Sequence, residues 1–327
     1  MTGDAWRPAA SLDMLRQRAA LLHRVRAFFW QRGVLEVETP QWLPSVAPEV
    51  HQDPIVCAQG FLHTSPETAM KRLLAAGSGP IYQICRAFRA NESGALHNPE
   101  FTILEWYRPG WSLRELMVEV EQLLWAVLTV SPGVDRWGDA GQAAILTYAA
   151  AFQCWAGIDP FADSDADLRA ACRRGGGCSV ADGLADSLDR AALLDLLLVQ
   201  QVEPGLRERG GAVFLVDFPP EAAAMAQVDP GPPPLARRFE LYLDGVELAN
   251  GYQELTDPQE QRRRLVEANQ QRRALGKWPL PLDEPFLQAL EQGLPDCAGV
   301  AIGLDRLIML ALGARQIREV MAFPSVL

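Results

Sequence analysis

Cys85-Arg86-Ala87-Phe88-Arg89-Ala90-Asn91-Glu92-Ser93-Gly94-Ala95-Leu96-His97-Asn98-Pro99-Glu100-Phe101-Thr102-Ile103-Leu104-Glu105-Trp106-Tyr107 reads as a strand, a polar loop and a second strand. The first strand ends in a basic residue, Arg89, and the loop carries Asn91, His97 and Asn98. Side chains alternate along a strand, so Phe101, Ile103, Glu105 and Tyr107 share one face. An aromatic ring there can carry a flat base, and a carboxylate beside a phenol can hold an ammonium group. Taken alone, the same stretch would serve as an amphipathic hairpin with Glu105 solvated.

Around it lie 327 residues, 49% hydrophobic and 22% charged, enough for a large globular core. A net charge of −11 argues against a surface built mainly to hold nucleic acid, which needs clustered Lys and Arg. No apolar run approaches the roughly 20 residues of a membrane span. The N-terminal stretch mixes acids with early arginines and lacks the apolar core of a signal peptide. Cysteines 57, 85, 154, 172, 178 and 297 are scattered without metal-ligand spacing, which suits a reducing cytoplasm. Walker A, Rossmann, GxSxG and HExxH patterns are missing, so nucleotide chemistry requires another scaffold.

Upstream, Leu15, Ala19, Leu22, Val25, Ala27 and Phe29 give residues 12–32 a helical stripe that Gly33 ends. Val34–Thr39 follows as a strand closed by Pro40. His63-Thr64-Ser65-Pro66-Glu67 opens a second helix, with Ser65 as N-cap and Pro66 in the first helical position. Glu67 either complements the helix dipole or holds a ligand amine. Downstream, Leu113–Val130 is helical and stops before Ser131-Pro132-Gly133, and residues 145–210 read as short helices without chemistry. Within them Gly175-Gly176-Gly177 reads as a flexible turn.

Val213–Phe218 is a buried strand, and Phe239–Asn250 is a hairpin turning at Asp244-Gly245. In that register Tyr242 lies opposite Glu247, with Glu240 diagonal on the same face. The two carboxylates are either solvated or bridged by a cation such as Mg²⁺. Strict alternation sends Asn250 and Glu254 to the other face unless a bulge intervenes near Gly251. Residues 256–275 read as a charged, solvated helix. In the last stretch, Val300, Ile302 and Leu304 face the core, while Gly299, Ala301 and Gly303 leave the opposite face bare for a flat ligand. Asp305 is expected to cap the following helix, with Arg306 in its first turn favouring an anion.

Together these stretches resemble the class II aminoacyl-tRNA synthetases. Residues 20–40 look like that family's first motif, 85–107 its second and 299–313 its third. The resemblance implies an α/β (α+β) catalytic domain spanning 1–327, a mostly antiparallel sheet flanked by helices, with a helical insertion at about 145–210. Thr64-Ser65-Pro66-Glu67, His97-Asn98-Pro99-Glu100-Phe101 and Glu247-Leu248-Ala249-Asn250-Gly251 are most similar to the lysyl subclass. The first motif starts so near Met1 that the anticodon-binding barrel of lysyl enzymes is not expected. Leu104-Glu105-Trp106-Tyr107-Arg108-Pro109 and Pro295-Asp296-Cys297 resemble the elongation factor P–lysine ligases. Such enzymes activate lysine or (R)-β-lysine with ATP and acylate a lysine side chain of elongation factor P instead of tRNA.

Residue roles follow from that resemblance alone. Arg89 would hold the α-phosphate and the substrate carboxylate, and His97 and Arg306 the outer phosphates. Asn91 and Asn98 would meet adenine, with Phe101 stacked on the ring, Gly303 beneath it and Leu248 beside the nucleotide. Glu240 and Glu247 would bind Mg²⁺. Ser65, Pro66 and Glu67 would line the reacting-end amine and Asn250 the carboxylate. Glu105, Tyr107 and Glu254 would take the distal ammonium. Ala301 stands where lysyl enzymes have glycine, which suits a β-amino acid. Asn91 departs from the family's usual glutamate. A cytoplasmic homodimer centred on Pro40 is implied, with no membrane association and tRNA not a partner.

Overall fold

Helix-forming and strand-forming stretches alternate along the chain, and a computed structural model describes residues 6–129, 142–174 and 184–325. Residues before 130 form α1 (Leu12–Trp30), β1 (Leu35–Glu36), β2 (Trp42–Leu43), β3 (Ile55–Cys57), β4 (Gly60–Leu62), α2 (Glu67–Ala75), β5 (Ile81–Phe88), β6 (Glu100–Pro109) and α3 (Leu113–Leu128). Next come β7 (Ala144–Thr147), α4 (Tyr148–Trp155), α5 (Asp165–Arg174), α6 (Leu184–Ser187), α7 (Arg190–Leu197) and α8 (Glu203–Arg209). They are followed by β8 (Ala212–Phe218), β9 (Val228–Asp229), β10 (Leu235–Leu243) and β11 (Val246–Gln253). The chain closes with α9 (Pro258–Ala274), α10 (Glu284–Gly293), β12 (Cys297–Gly303) and α11 (Leu304–Ala311). Two compact units result, one of residues 1–140 with 255–327 and one of residues 141–254. The expected turns at 131–133 and 175–177 lie outside the described residues.

In the first unit β5 and β6 form the long hairpin read from the sequence, pairing from Ile81↔Tyr107 to Phe88↔Glu100. β12 lies antiparallel on β6 and β1 parallel on β5. β1 is only two residues long, because the chain towards Pro40 leaves the sheet. β2, β4 and β3 form a small antiparallel sheet. Gly33, at φ +64°, ends the first helix as expected. α2 starts one residue later than expected: Pro66 takes the cap position without a side-chain cap.

One face of β6 is given to packing. Trp106 is fully buried, with Phe29 of α1 at 5.2 Å between centroids, and Phe29 stacks on Tyr82 at 4.4 Å. Glu119 of α3 accepts from Trp106 Nε1 at 3.0 Å and from Arg108 Nε at 2.8 Å, and Arg108 Nη2 also binds it. Both charges are buried, so each depends on the other.

In the second unit β10 lies antiparallel to both β11 and β8, and β7 runs parallel to β8. Helices α4, α5 and α7 bury Phe152, Leu168, Leu193 and Leu197 against Leu215 and Phe218 of β8. The turn has φ +49° at Asp244 and +71° at Gly245, the two-residue hairpin geometry that Asp-Gly favours. A Cβ on Gly245 would meet Arg207 at 2.6 Å, which excludes a larger residue.

The charged helix α9 is not solvated throughout. Its outer face is exposed, but Gln261, Leu265, Asn269 and Arg272 are buried. Arg272 binds the carbonyls of Glu49 and Gln52 and the Asp53 carboxylate at 2.7, 3.0 and 3.0 Å. No helix among the described residues is long and apolar enough to cross a membrane.

The Arg108–Glu119 pair yields a stability prediction. Glu119→Ala leaves a buried guanidinium without its carboxylate and should cost about 3–5 kcal/mol. Urea denaturation should show a lower midpoint with an unchanged slope; a midpoint within experimental error of the parent contradicts the assignment.

Candidate active site

The other face of β6 carries the polar groups. Register places Ala301 of β12 directly across from Glu105, Gly299 across from Tyr107 and Gly303 across from Ile103. The bare strip and the polar strip are therefore neighbours on one surface. Ala301 and Gly303 remain partly accessible, while Val300, Ile302 and Leu304 are buried, as the alternation required.

Glu105 is 2% exposed and fully engaged. Tyr107 donates its phenol to Oε1 at 2.6 Å, and Ser65 donates its hydroxyl to Oε2 at 2.7 Å. Ser65 Oγ also accepts from the Glu67 backbone N–H at 3.0 Å, which fixes the start of α2 beside Glu105. Burial, and then the nearby Glu67 charge, push the Glu105 carboxyl up to about 7; Tyr107, Ser65 and Lys71 oppose that rise. This environment attracts an ammonium ion and repels an anion.

Farther along β5 and its loop, the Arg89 guanidinium sits 4.9 Å from the Phe101 ring centroid. Arg89 Nη1 lies 3.8 Å from Glu92 Oε2, so Glu92 supplies a carboxylate beside Arg89. Asn91 is exposed at φ +65°, a conformation that asparagine tolerates better than most residues. His97 Nε2 and Arg306 Nη2 meet at 2.6 Å, bringing together two residues 209 apart in sequence. Their cationic and imidazole groups form a site suited to phosphate oxygens. Asn98 is buried, and its amide binds Glu100 O at 2.5 Å and Ser325 N at 3.0 Å. That amide therefore fixes the C-terminal segment against the loop.

Asp305 does not cap α11. Gly303 holds the cap position, and no side chain caps it. Asp305 instead points inward, accepting from Arg18 Nη2 at 2.5 Å and from Thr102 N at 2.6 Å. Once buried, the Asp305 carboxylate needs a cationic partner, and that demand outweighs a local cap.

In the second unit the expected bulge exists but stands earlier. Tyr242 pairs with Glu247 and Leu241 with Ala249, which makes Leu248 the extra residue. Leu248 is buried, and the bulge reverses the alternation after it. Asn250 consequently pairs with Glu240, and the same parity carries on to Tyr252 and Glu254. Glu240 accepts from the Tyr242 phenol at 2.7 Å and from Arg238. Arg238 also donates to Asn250 Oδ1 at 3.1 Å and to Ala222 O at 2.6 Å. Burial raises the Glu240 carboxyl, Arg238 lowers it, and the Glu247 charge raises it again. Glu254 is 1% exposed, and its carbonyl accepts from Gln227.

Mg²⁺ takes one or two carboxylates and keeps positions for water and phosphate, and Glu240 already accepts from Arg238 and Tyr242. Among the described residues no group of three metal-binding side chains forms. Two participants were missed from sequence. Lys71 sits one helical turn after Glu67, where an i,i+4 ion pair forms, and Arg238 sits two residues before Glu240 on one strand face.

The profile of tRNA synthetases class II (D, K and N) matches residues 4–327. A protein of Erwinia tasmaniensis named elongation factor P–(R)-β-lysine ligase is 45% identical, covering 98% of this chain and 97% of its own length. Proteins of the same name from Vibrio vulnificus and Edwardsiella ictaluri are each 46% identical, covering 98% of this chain and 98% and 97% of theirs.

The raised Glu105 carboxyl has a measurable sign. Its folded value near 7 stands above the ordinary 4.5, so the folded chain holds an extra proton between them. Stability contributed by this group should fall as pH rises from 4.5 to 7. Infrared titration should detect a carboxyl with a midpoint near 7 that disappears in Glu105→Gln, together with that pH slope. An unchanged titration in the variant contradicts the assignment.

Proposed function

The chain belongs to the class II tRNA synthetases (D, K and N), and on that footing we propose that it is an ATP-dependent protein–lysine ligase acting on elongation factor P. Full-length similarity to ligases of that name carries the reading. The buried Glu105–Tyr107–Ser65 cluster supports it, because a lysine substrate needs a dry carboxylate for its ammonium.

In the first step a carboxylate oxygen of lysine or (R)-β-lysine attacks the α-phosphorus of ATP. The bond to the bridging oxygen breaks and pyrophosphate leaves. Arg89 neutralises charge at the α-phosphate, and its contact with Phe101 places it beside the ring on which adenine would stack. His97 and Arg306 stabilise the departing pyrophosphate. Asn91 would reach the adenine edge and Gly303 would lie beneath the base. Bound Mg²⁺, held by Glu240 and Glu247, would supply charge neutralisation at the phosphates.

Glu67 binds the amine near the reacting end, with Ser65 and Pro66 shaping that corner. Glu105 and Tyr107 bind the distal ammonium. Ala301 places a methyl on the floor across from Glu105, where glycine would leave room. In the second step the side-chain amine of the acceptor lysine attacks the acyl carbon, loses a proton and expels AMP. Alignment and charge neutralisation carry both steps without a covalent enzyme intermediate. The working form is a cytoplasmic homodimer organised about Pro40, without tRNA or membrane.

Incubating the chain with ATP, Mg²⁺, lysine or (R)-β-lysine and elongation factor P should add one lysyl unit to a single lysine of the factor by intact mass. Arg306→Ala should slow this by at least about 100-fold. An unmodified factor alongside acylated RNA would overturn the proposed acceptor.

A further inference from the structure

Lys71 is fully buried on α2, and the mechanism above gives it no task. Its Nζ lies 2.6 Å from Glu67 Oε1 and 6.0 Å from the centroid of the Phe286 ring on α10. The pair is asymmetric: the lysine side chain is 0% exposed and the glutamate 18%. The carboxylate is thus held from its protein side and accessible on the other. Ser65 binds the Glu105 carboxylate and the Glu67 backbone N–H, and the two carboxylates repel each other. A buried ammonium beside them offsets one of the two charges.

We infer that Lys71 is a positioning residue for the substrate amine nearest the reacting carboxylate, anchoring Glu67 through one oxygen and leaving the other for that amine. The assignment rests on the reading of Glu67 as the amine ligand. Without Lys71, Glu67 would turn towards solvent, which weakens its hold on an ammonium. The distal ammonium, held by Glu105 and Tyr107, should be affected much less. Lys71 therefore governs recognition of one amine of a diamino acid, acting through Glu67.

The test compares binding of two ligands to the full chain by calorimetry. One is the lysine isomer that the parent takes. The other is 6-aminohexanoate, which keeps the carboxylate and distal amine but lacks the amine near the reacting end. Lys71→Met should weaken lysine binding about tenfold while 6-aminohexanoate changes by less than about twofold. Glu67→Gln with Lys71→Met should bind lysine no more weakly than Glu67→Gln alone, because both act on one interaction. Equal losses for both ligands, or losses that multiply in the double variant, overturn the assignment. If Lys71→Met fails to fold, the double variant, which removes both charges, still decides against Glu67→Gln. A parent chain that binds neither lysine isomer overturns the ligase reading itself, and this assignment with it.

Discussion

The first unit depends on one buried carboxylate. Asp305 is 1% exposed and ties three distant segments together: Arg18 of α1, the Thr102 amide of β6, and its own helix α11. Thr102 extends the knot, since its hydroxyl accepts from Arg18 at 2.9 Å and from Arg86 at 3.0 Å. A buried ion pair contributes little net stability, but removing one partner is costly, so such a knot fixes geometry more than it adds free energy. What it fixes is Arg306, the next residue, whose guanidinium meets His97 from the loop between β5 and β6. The α1 helix, the β5–β6 hairpin and the β12–α11 unit are thereby held in one arrangement.

Strand β6 divides the labour between its faces. Trp106 and Arg108 point to the packing side, where Phe29 and Glu119 receive them. Glu105 and Tyr107 point to the opposite side, across from the small residues Ala301 and Gly299. Packing on one face supplies the rigidity that lets the other keep a buried carboxylate in an unfavourable charge state. The second unit repeats this economy on β10, where Arg238 and Tyr242 hold Glu240 in place. In both units a carboxylate raised by burial is organised by a phenol two residues along the same strand.

Much of this was legible in the sequence because it follows from short periods. Alternation gave the faces of β6 and β12, and Asp-Gly gave the turn and the Tyr242–Glu247 pairing. The mostly antiparallel strand pairing within each unit agrees with the class II resemblance. The discrepancies arise where a distant partner overrides a local preference. Asp305 is drawn inward by Arg18, 287 residues away, and so does not cap its helix. The bulge falls at Leu248, three residues before Gly251, because the buried side chain of Leu248 takes the extra position. Fully buried Lys71 and half-buried Arg238 take their places through packing that a sequence pattern does not reveal. The Asn98 amide was read as a ligand group, and the structure shows it bound to Ser325 and Glu100.

On the proposed function, the chain activates a lysine carboxylate with ATP before any acceptor takes part. ATP–pyrophosphate exchange by the purified chain tests this most directly. Exchange should require Mg²⁺ and lysine or (R)-β-lysine, proceed without elongation factor P or tRNA, and be lost in Arg89→Ala. Exchange that is independent of lysine, or that never occurs with either isomer, would contradict it.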